Sequence, residues 1–536
     1  MTDPKFSQRG WLDRSIVIFL IMAIAVGIGF RLTSLDRKLY WHDEVYTSFR
    51  AAGYTGAEIS QEIFSDRLLL PSDLLKFQQF KPDSTPWDTI DSLAIEDPQH
   101  PPLYYLISRL WMQLFGSAIP IMRLLPALIS LLALPFMYGL AFELFGSHLI
   151  ALLATAFLAL SPFDVLFAQI ARQYSLLTVS TIASSFYLLR AIGSRSISSW
   201  MIYSLASAIG LYTHPFFGFT LIGHGVTIIV DRFILTKRKT QDDVIPDPPI
   251  LVAFLGSIVG ALMLYSPWLI VIGGNYKRAL SSTSWAAVGT DWFMAAKLWL
   301  LSFTSLFLDL DFGFDNFWTF GARLPIFLLV VMGIYAICRR TRPLVWVFVL
   351  SSILVPFLML FLPDLFLGGR RSTVSRYLIG CYPGIQLSIA YLIGIHLGNL
   401  DRSWQLVWKS VLVTLFACSI ASCTVSAISN TWWSNVPSYF NAETARIINS
   451  KPNPVMIADE GNGTNLGDVI SLAHLLRSEV KLLLLKPQIP DSIVQSFANQ
   501  FVFRPSGKIR QAILARQLNL EVVDGTGGDL WRIGKS

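Results

Sequence analysis

Charge is what this sequence has least of. Only 14% of its 536 residues are Asp, Glu, Lys or Arg, against about 25% in soluble globular domains, and that shortage excludes a soluble enzyme. Cysteine is nearly missing as well. Cys338, Cys381, Cys418 and Cys423 all lie in or at the edge of apolar runs, which leaves neither a CxxC metal motif nor a disulfide framework. No low-complexity segment or internal repeat stands out, so disorder and repeat arrays are also excluded. The formal charge of +7 would point a soluble chain toward polyanions, but its basic residues fall largely in short clusters between apolar runs. They read as topology signals, not as a nucleic-acid surface.

What is abundant is hydrophobic length: 53% of the residues are hydrophobic, in repeated stretches close to the ~20 residues that cross a bilayer. Lys5, Arg9 and Arg14 precede the first stretch, Ser15 to Phe30. No small-residue cleavage site follows, so this segment reads as a signal anchor. Basic clusters at Arg190/Arg195, Lys237-Arg-Lys239, Arg339-Arg-Thr-Arg342 and Arg402/Lys409 mark the inner side. An even number of crossings must then separate neighbouring clusters. Of the five apolar stretches before Arg190, Pro101 to Phe115 is the one expected not to cross. It is short, carries Arg109 and Gln113, and spaces Leu103, Leu106, Ile107, Leu110, Trp111 and Leu114 as an interfacial helix would.

The run from Trp200 to Phe233 reads as a helical hairpin turning at Thr213-His-Pro215, and Trp292 to Leu310 as a second segment that stays outside. The resulting expectation is a polytopic α-helical membrane protein with eleven crossings, its N-terminus inside and its C-terminus outside. Residues 1–428 form the membrane domain, with residues 33–119 as an outer loop, and residues 429–536 a small extracytoplasmic α/β domain. In that tail Pro454 to Ile457, Val480 to Leu485, Phe501 to Phe503 and Leu520 to Val523 are expected strands, with helices over Asp468 to Arg477 and Lys508 to Gln517. Gly461-Asn-Gly463 reads as a loop, because no Lys-Ser/Thr follows it.

Chemistry concentrates on the outer side. Tyr40-Trp-His-Asp-Glu-Val-Tyr-Thr47 sets Asp43 and Glu44 beside His42 just beyond the first membrane helix. A helix start complemented by two acids is the plain reading; an acid-base site is the sharper one. Ile95-Glu-Asp-Pro-Gln-His-Pro-Pro-Leu-Tyr-Tyr105 returns Asp97 and His100 to the membrane surface, where a proline-fixed helix entry is the simpler account. The ligand types of His42, Glu44, Asp97 and His100 leave a divalent metal open without fixing a geometry. Ser161 to Tyr174 carries Arg172, for which a snorkelling side chain is the bland reading. Arg370-Arg-Ser-Thr-Val-Ser-Arg376-Tyr-Leu places three arginines on the side that should be poor in them. That breach of the positive-inside rule suits a phosphate ligand, since guanidinium offers a fixed fork of donors. Lipid headgroup contact is the alternative, and His214 with Pro215 is most simply a turn.

Asp43-Glu44 after the first helix, His100-Pro-Pro-Leu-Tyr, Arg123-Leu-Leu-Pro-Ala, Ser161-Pro with Ala171-Arg-Gln-Tyr-Ser-Leu, and Arg376-Tyr-Leu before Pro383 together resemble family 39 glycosyltransferases. These are GT-C membrane enzymes related to protein O-mannosyltransferases and lipid A aminoarabinose transferases. The resemblance runs from Ser15 to about Pro383 and does not reach the tail. It implies a transferase that takes a sugar from a polyprenyl-phosphate donor, with inversion at the anomeric carbon, and works on the outer face of a bacterial inner membrane. It also implies Asp43 as the catalytic carboxylate with Glu44 beside it, and interfacial helices of the first loop as their scaffold. Arg376, Arg371 and Arg172 are the donor-phosphate candidates; His42, Asp97, His100, Tyr174 and Tyr377 are the remaining site candidates. The chain departs from the family pattern at Ile170, where many relatives carry Glu; Asp164 lies further upstream. No nucleotide site is required. The acceptor is a lipid, a protein or a glycan. A secondary transporter or lipid-linked glycan flippase is the competing class, but transporters favour repeats and midplane charges, whereas these acids and arginines gather at one surface. A membrane-anchored scaffold would not need eleven crossings.

Overall fold

The structure, a computed structural model, describes residues 14–231, 250–311, 316–399, 401–461, 465–486 and 499–535. Lys5, Arg9, the Lys237-Arg-Lys239 cluster and Asn462-Gly463 fall outside them. The chain divides into two compact units. The first comprises Met1–Thr33, Gln99–Leu103 and Pro126–Ala427; the second comprises Ser34–Pro98, Tyr104–Leu125 and Ile428–Ser536.

The first unit is helical, because its apolar runs must satisfy their own backbone groups where no water is available. Across the described residues eight helices are long and apolar enough to cross a membrane: Arg14–Leu32, Ile119–Phe145, Tyr174–Ser194, Ile250–Gly274, Phe317–Arg340, Pro343–Leu367, Ser375–Gly398 and Arg402–Ile428. A ninth arises if His148–Ala159 and Pro162–Ala168, bent by 53° at their junction, count as one span. The bend has a local cause: Ser161 caps the second piece and Pro162 opens it, and a proline has no N–H with which to continue the first helix. Eleven crossings were expected. The difference lies in the Trp200–Phe233 hairpin, whose arms Ile197–Thr213 and Phe217–Ile229 have 17 and 13 described residues. Both fall short of the ~20 residues of a full span. The segment expected to stay outside, Trp292 to Leu310, contains a helix of only 13 residues, Trp292–Thr304.

Burial sorts the spans. The Ser375–Gly398 helix is 94% buried, whereas Arg14–Leu32 is 22% buried and exposes Ile18, Ile21, Met22 and Val26. The first is the axis of the bundle and the second a lipid-facing strut. Helices in lipid associate through close packing of small residues. Gly333 illustrates this, since a Cβ there would sit 2.6 Å from the Ser388 carbonyl oxygen.

The second unit holds a six-stranded mixed sheet made of β1 (Leu68–Leu69), β2 (Pro454–Asp459), β3 (Lys481–Leu485), β4 (Asn499–Phe503), β5 (Leu518–Val522) and β6 (Leu530–Lys535), in the order β1-β3-β2-β4-β6-β5. β2 is parallel to both β3 and β4, with Ile457 opposite Leu483 and Val502. A strand buried on both faces needs a continuous apolar run, which Pro454-Val-Met-Ile-Ala supplies. Val455, Ile457, Leu483, Leu485 and Val502 pack on Ile509 and Ile513 of the Gly507–Leu514 helix. Four of these strands were expected. β6 was not, and neither was β1, a two-residue edge contributed by the first loop.

The helix expected to lie at the interface, Leu103–Phe115, buries Tyr104, Tyr105, Ser108, Arg109 and Met112 and turns Leu110 and Leu114 outward. Its polar-aromatic face is thus inward and its exposed leucines form the apolar outer face of an amphipathic helix. Arg109 does not snorkel; its guanidinium donates to the Ala51 carbonyl at 3.1 Å and to the Ser84 carbonyl at 2.7 Å.

Gly333→Ala is expected to lower stability by about 1–3 kcal/mol through overpacking against the Ser388 backbone. Gly29→Ala, with no atom within 4 Å of the added carbon, is the matched control. Thermal melting of both variants in detergent checks the difference, and equal melting temperatures would refute the contact.

Candidate active site

Asp43 and Glu44 open the His42–Ala52 helix, and successive residues on a helix point about 100° apart. That angle separates their fates. Glu44 is fully buried and forms a two-point ion pair with Arg123, Nε to Oε1 at 2.8 Å and Nη2 to Oε2 at 2.6 Å. Arg123 is itself buried, and its remaining donors reach the carbonyls of Leu35, Lys38 and Leu39 at 2.7–2.9 Å. Tyr40 lies under the guanidinium at 5.4 Å. Burial and the same guanidinium push His474, whose ring meets Tyr40 edge-on, down to about 4. Glu44 is therefore an anchor of the loop. Asp43 is only half-buried.

His42, half-buried, stacks on Tyr46 with ring centroids 4.8 Å apart, and its Nδ1 lies 3.4 Å from Asp468 Oδ2. Burial opposes the Asp468 charge, but His42, Arg504 and Ser438 outweigh it and hold this carboxyl below its ordinary range. Asp97 is ion-paired with Arg50, which also approaches Glu96 at 3.8 Å. Glu96 caps the Gly56–Ile63 helix by accepting from the Gly56 and Ala57 N–H groups at 2.8 Å each. The acids of this loop thus serve mostly to lock it.

The set His42, Glu44, Asp97 and His100 does not fit a metal. Glu44 and Asp97 face arginines, and His42 faces a carboxylate already shared with Arg504. Among the described residues no group of three His, Cys, Asp or Glu side chains could hold one.

The other unit collects cations. Arg172, buried at the bend before the Tyr174–Ser194 helix, places Nη2 3.2 Å from His100 Nε2. A guanidinium only donates, so in any hydrogen bond between them His100 Nε2 is the acceptor. His214 lies beyond, its ring centroid 6.3 Å from that of His100. Burial first, then His100, Arg172 and Arg376, hold His214 well below the ordinary histidine range. Arg376 lies over Tyr377 at 5.6 Å and over Trp285 at 5.7 Å, and Arg370 shares the Trp285 ring at 5.4 Å. Phe216 closes the group, edge-on to Tyr377 at 4.8 Å.

Sequence reasoning found Arg172, Arg376, His100 and Tyr377 and set His214 aside as a turn. His214 does begin the turn between two helices, and the cluster uses that position. Trp285 and Phe216 were not noticed; only the doubling of aromatics beside an Arg-rich turn could have pointed to them. Arg371 leaves the group, because its Nη1 donates to Asp364 Oδ1 at 3.1 Å and to the Gly368 carbonyl at 3.0 Å. Asp364 also accepts from the Ser372 N–H at 2.7 Å, so Arg371 shapes the turn that presents Arg370 and Arg376. Tyr174 is buried edge-on to Phe167, a packing position. Gln173 beside it is fully buried, and neither of its side-chain amide atoms has a hydrogen-bond partner. Asp164 does not stand in for the missing acid at Ile170; it accepts from Gln386 Nε2 at 2.7 Å.

Glu44→Gln should cost about 3–5 kcal/mol, because it leaves the Arg123 charge buried without its counter-ion. Asp43→Asn should melt close to wild type. Parallel thermal unfolding of the two purified variants checks this contrast, and equal destabilisation would remove the distinction drawn between the two acids.

Residues 99–271 match the family described as dolichyl-phosphate-mannose-protein mannosyltransferase. No curated protein matches the sequence. Among solved structures, the chain is similar to ArnT from Cupriavidus metallidurans bound to undecaprenyl phosphate, with a TM-score of 0.51, 16% identity, and coverage of 96% of this chain and 97% of that one. The apo state of the same protein gives 0.53 and 15%, covering 97% and 98%. The archaeal oligosaccharyltransferase AglB from Archaeoglobus fulgidus, in complex with an inhibitory peptide and a dolichol-phosphate, gives 0.51 and 10%, covering 98% of this chain and 75% of that one. At such identities these structures establish the fold. Residues 99–271 thus resemble the dolichyl-phosphate-mannose-protein mannosyltransferase family, and nearly the whole chain has the polytopic GT-C-like membrane fold of these structures.

Proposed function

We propose that this enzyme transfers a sugar, with inversion, from a polyprenyl-phosphate donor to a hydroxyl of a lipid, protein or glycan on the outer face of a bacterial inner membrane. Asp43 is assigned as the general base, and Arg172 and Arg376 as the donor-phosphate ligands. The observation that carries this reading is the gathering of Arg172, Arg376, His100 and His214 around one buried turn, where burial first, then His100 and the two arginines, hold His214 well below its ordinary range. Guanidiniums held in place beforehand suit a phosphate, which they can bind without reorganisation.

The reaction follows from these roles. The acceptor hydroxyl gives its proton to the Asp43 carboxylate while its oxygen attacks the anomeric carbon. The bond from that carbon to the phosphate oxygen breaks on the opposite side, and the electron pair leaves with the polyprenyl phosphate. Charge on that phosphate grows as the bond lengthens, so arginines there favour the transition state over the ground state. The half-exposure of Asp43 supports its assignment over Glu44, which could accept a proton only by surrendering Arg123. Gln173, with its amide unsatisfied beside Arg172, is a fitting contact for sugar hydroxyls.

The same reading assigns eleven crossings, with the short hairpin arms as two of them, residues 33–119 as an outer loop and residues 429–536 as an extracytoplasmic domain. Single cysteines at Ser84 and Ser450 in a cysteine-free background should both react with an impermeant thiol reagent in intact spheroplasts. Protection of either until lysis would overturn the assigned sidedness.

For the chemistry, mass analysis of glycolipids and glycoproteins from a deletion strain identifies the acceptor. Transfer by purified variants then tests the roles. Asp43→Asn should lose about a hundredfold or more in turnover. Arg376→Ala should be strongly impaired and Arg376→Lys only partly restored, since the fork is lost; Arg370→Ala should be milder. Near wild-type transfer by Asp43→Asn would refute the base, and unchanged turnover and donor affinity in Arg376→Ala would make these arginines headgroup anchors.

A further inference from the structure

The helix that carries Asp43 has a poor start of its own. Its N-cap is Trp41, whose indole offers no acceptor, whereas the first N–H groups of a helix need one. Glu44 returns one oxygen to the Trp41 N–H at 3.4 Å, but the His42 N–H lies in the first turn, where no helical carbonyl can serve it. That N–H donates instead to Ser438 Oγ at 2.9 Å, almost 400 residues along the chain. Ser438 in turn donates its hydroxyl proton to Asp468 Oδ1. The other oxygen of Asp468 faces the His42 ring at 3.4 Å and accepts from Arg504 Nη1 at 2.6 Å. Arg504 is tied on its second nitrogen to Asp529 at 2.6 Å, and Asn441 adds a donor to Asp468 Oδ1 at 3.2 Å.

Two features mark this as a built arrangement. Asp468 is fully buried yet kept ionised by His42, Arg504 and Ser438 against the cost of burial. Position 467 is glycine, and a Cβ there would collide with the His42 ring, 2.5 Å from Nδ1. The tail thus holds both the backbone and the side chain of the residue immediately before Asp43.

We infer that Ser438 and Asp468 are positioning residues for Asp43: the tail completes the start of the base-bearing helix from outside and fixes the direction of its first turn. This gives the tail a part in the reaction that its sequence does not announce, and it rests on the assignment of Asp43 as base. The physical leverage is large, because misplacing a reacting group by about 1 Å can cost on the order of a hundredfold in rate.

The test uses the full-length enzyme in nanodiscs. Hydrogen–deuterium exchange over residues 42–47 should speed up in Asp468→Asn and in Ser438→Ala, without a matching change at the far end of the helix. With an undecaprenyl-phosphate sugar as donor and membranes of the deletion strain as acceptor source, each variant should lose about tenfold in turnover with donor KM within about twofold. Ser438→Thr, which keeps the hydroxyl, should restore turnover. The loss should vanish when Asp43 is already Asn, since a residue acting through Asp43 has nothing left to position. Unchanged exchange at residues 42–47, or a loss that simply adds to that of Asp43→Asn, overturns the inference. Should Asp468→Asn not fold, Ser438→Ala, which removes one hydroxyl, carries the test. Full activity of Asp43→Asn by itself would instead defeat the assignment of the base, and the exchange measurement would still decide whether the tail caps the helix.

Discussion

The buried pair of Glu44 and Arg123 is the constraint on which the loop around Asp43 depends. Two charges taken out of water are costly unless every donor and acceptor is matched. Here Arg123 spends its fork on Glu44 and its other protons on three carbonyls of residues 35–39. Five donors thereby fix the chain entering the loop, the first turn of the His42–Ala52 helix and the residue that carries Arg123 in one arrangement. The adjacent Asp43 lies on another side of the helix and is half-buried, so two neighbouring acids sit in different surroundings.

A second constraint comes from charge of one sign. Arg172 and Arg376 stand near two histidines, and burial first, then these neighbours, hold His214 well below its ordinary range. Aromatic rings share the work: Trp285 lies against both Arg370 and Arg376, and Tyr377 against Arg376. A ring face attracts a cation without neutralising it. Arg371 is treated differently. Its pairing with Asp364 holds the turn, and three arginines close in sequence thus divide between shaping the turn and presenting charge.

The family match ends at residue 271, yet the structure does not treat the tail as an appendage. β1 comes from the first loop and pairs with β3 of the tail, and Asp66 of the loop accepts from the Lys486 N–H at 2.9 Å. Loop and tail share one sheet and one core. The consequence for function is that the geometry around Asp43 is set by residues far outside the catalytic motifs.

Several features were legible in the sequence because they rest on local patterns. Apolar runs of bilayer length, the amphipathic Leu103–Phe115 helix and the apolar strands β2 and β3 follow from periodicity and composition. Asp43, Arg172 and Arg376 stood out as candidates for another reason: adjacent acids past the first apolar run, and arginines where the topology should have few, are anomalies against a strong background rule. What only the tertiary structure decided depends on partners far apart in the chain. Asp43 and Glu44 are equivalent by sequence, and Arg123, 79 residues on, separates their roles. Arg371 and Arg376 look alike until Asp364 takes the first. β1 has two residues and no pattern of its own, and Ser438 reads as an ordinary loop serine. Each gains its role from an ion pair or hydrogen bond whose partner no local period can announce, because folding brings the two together only after the local elements have formed.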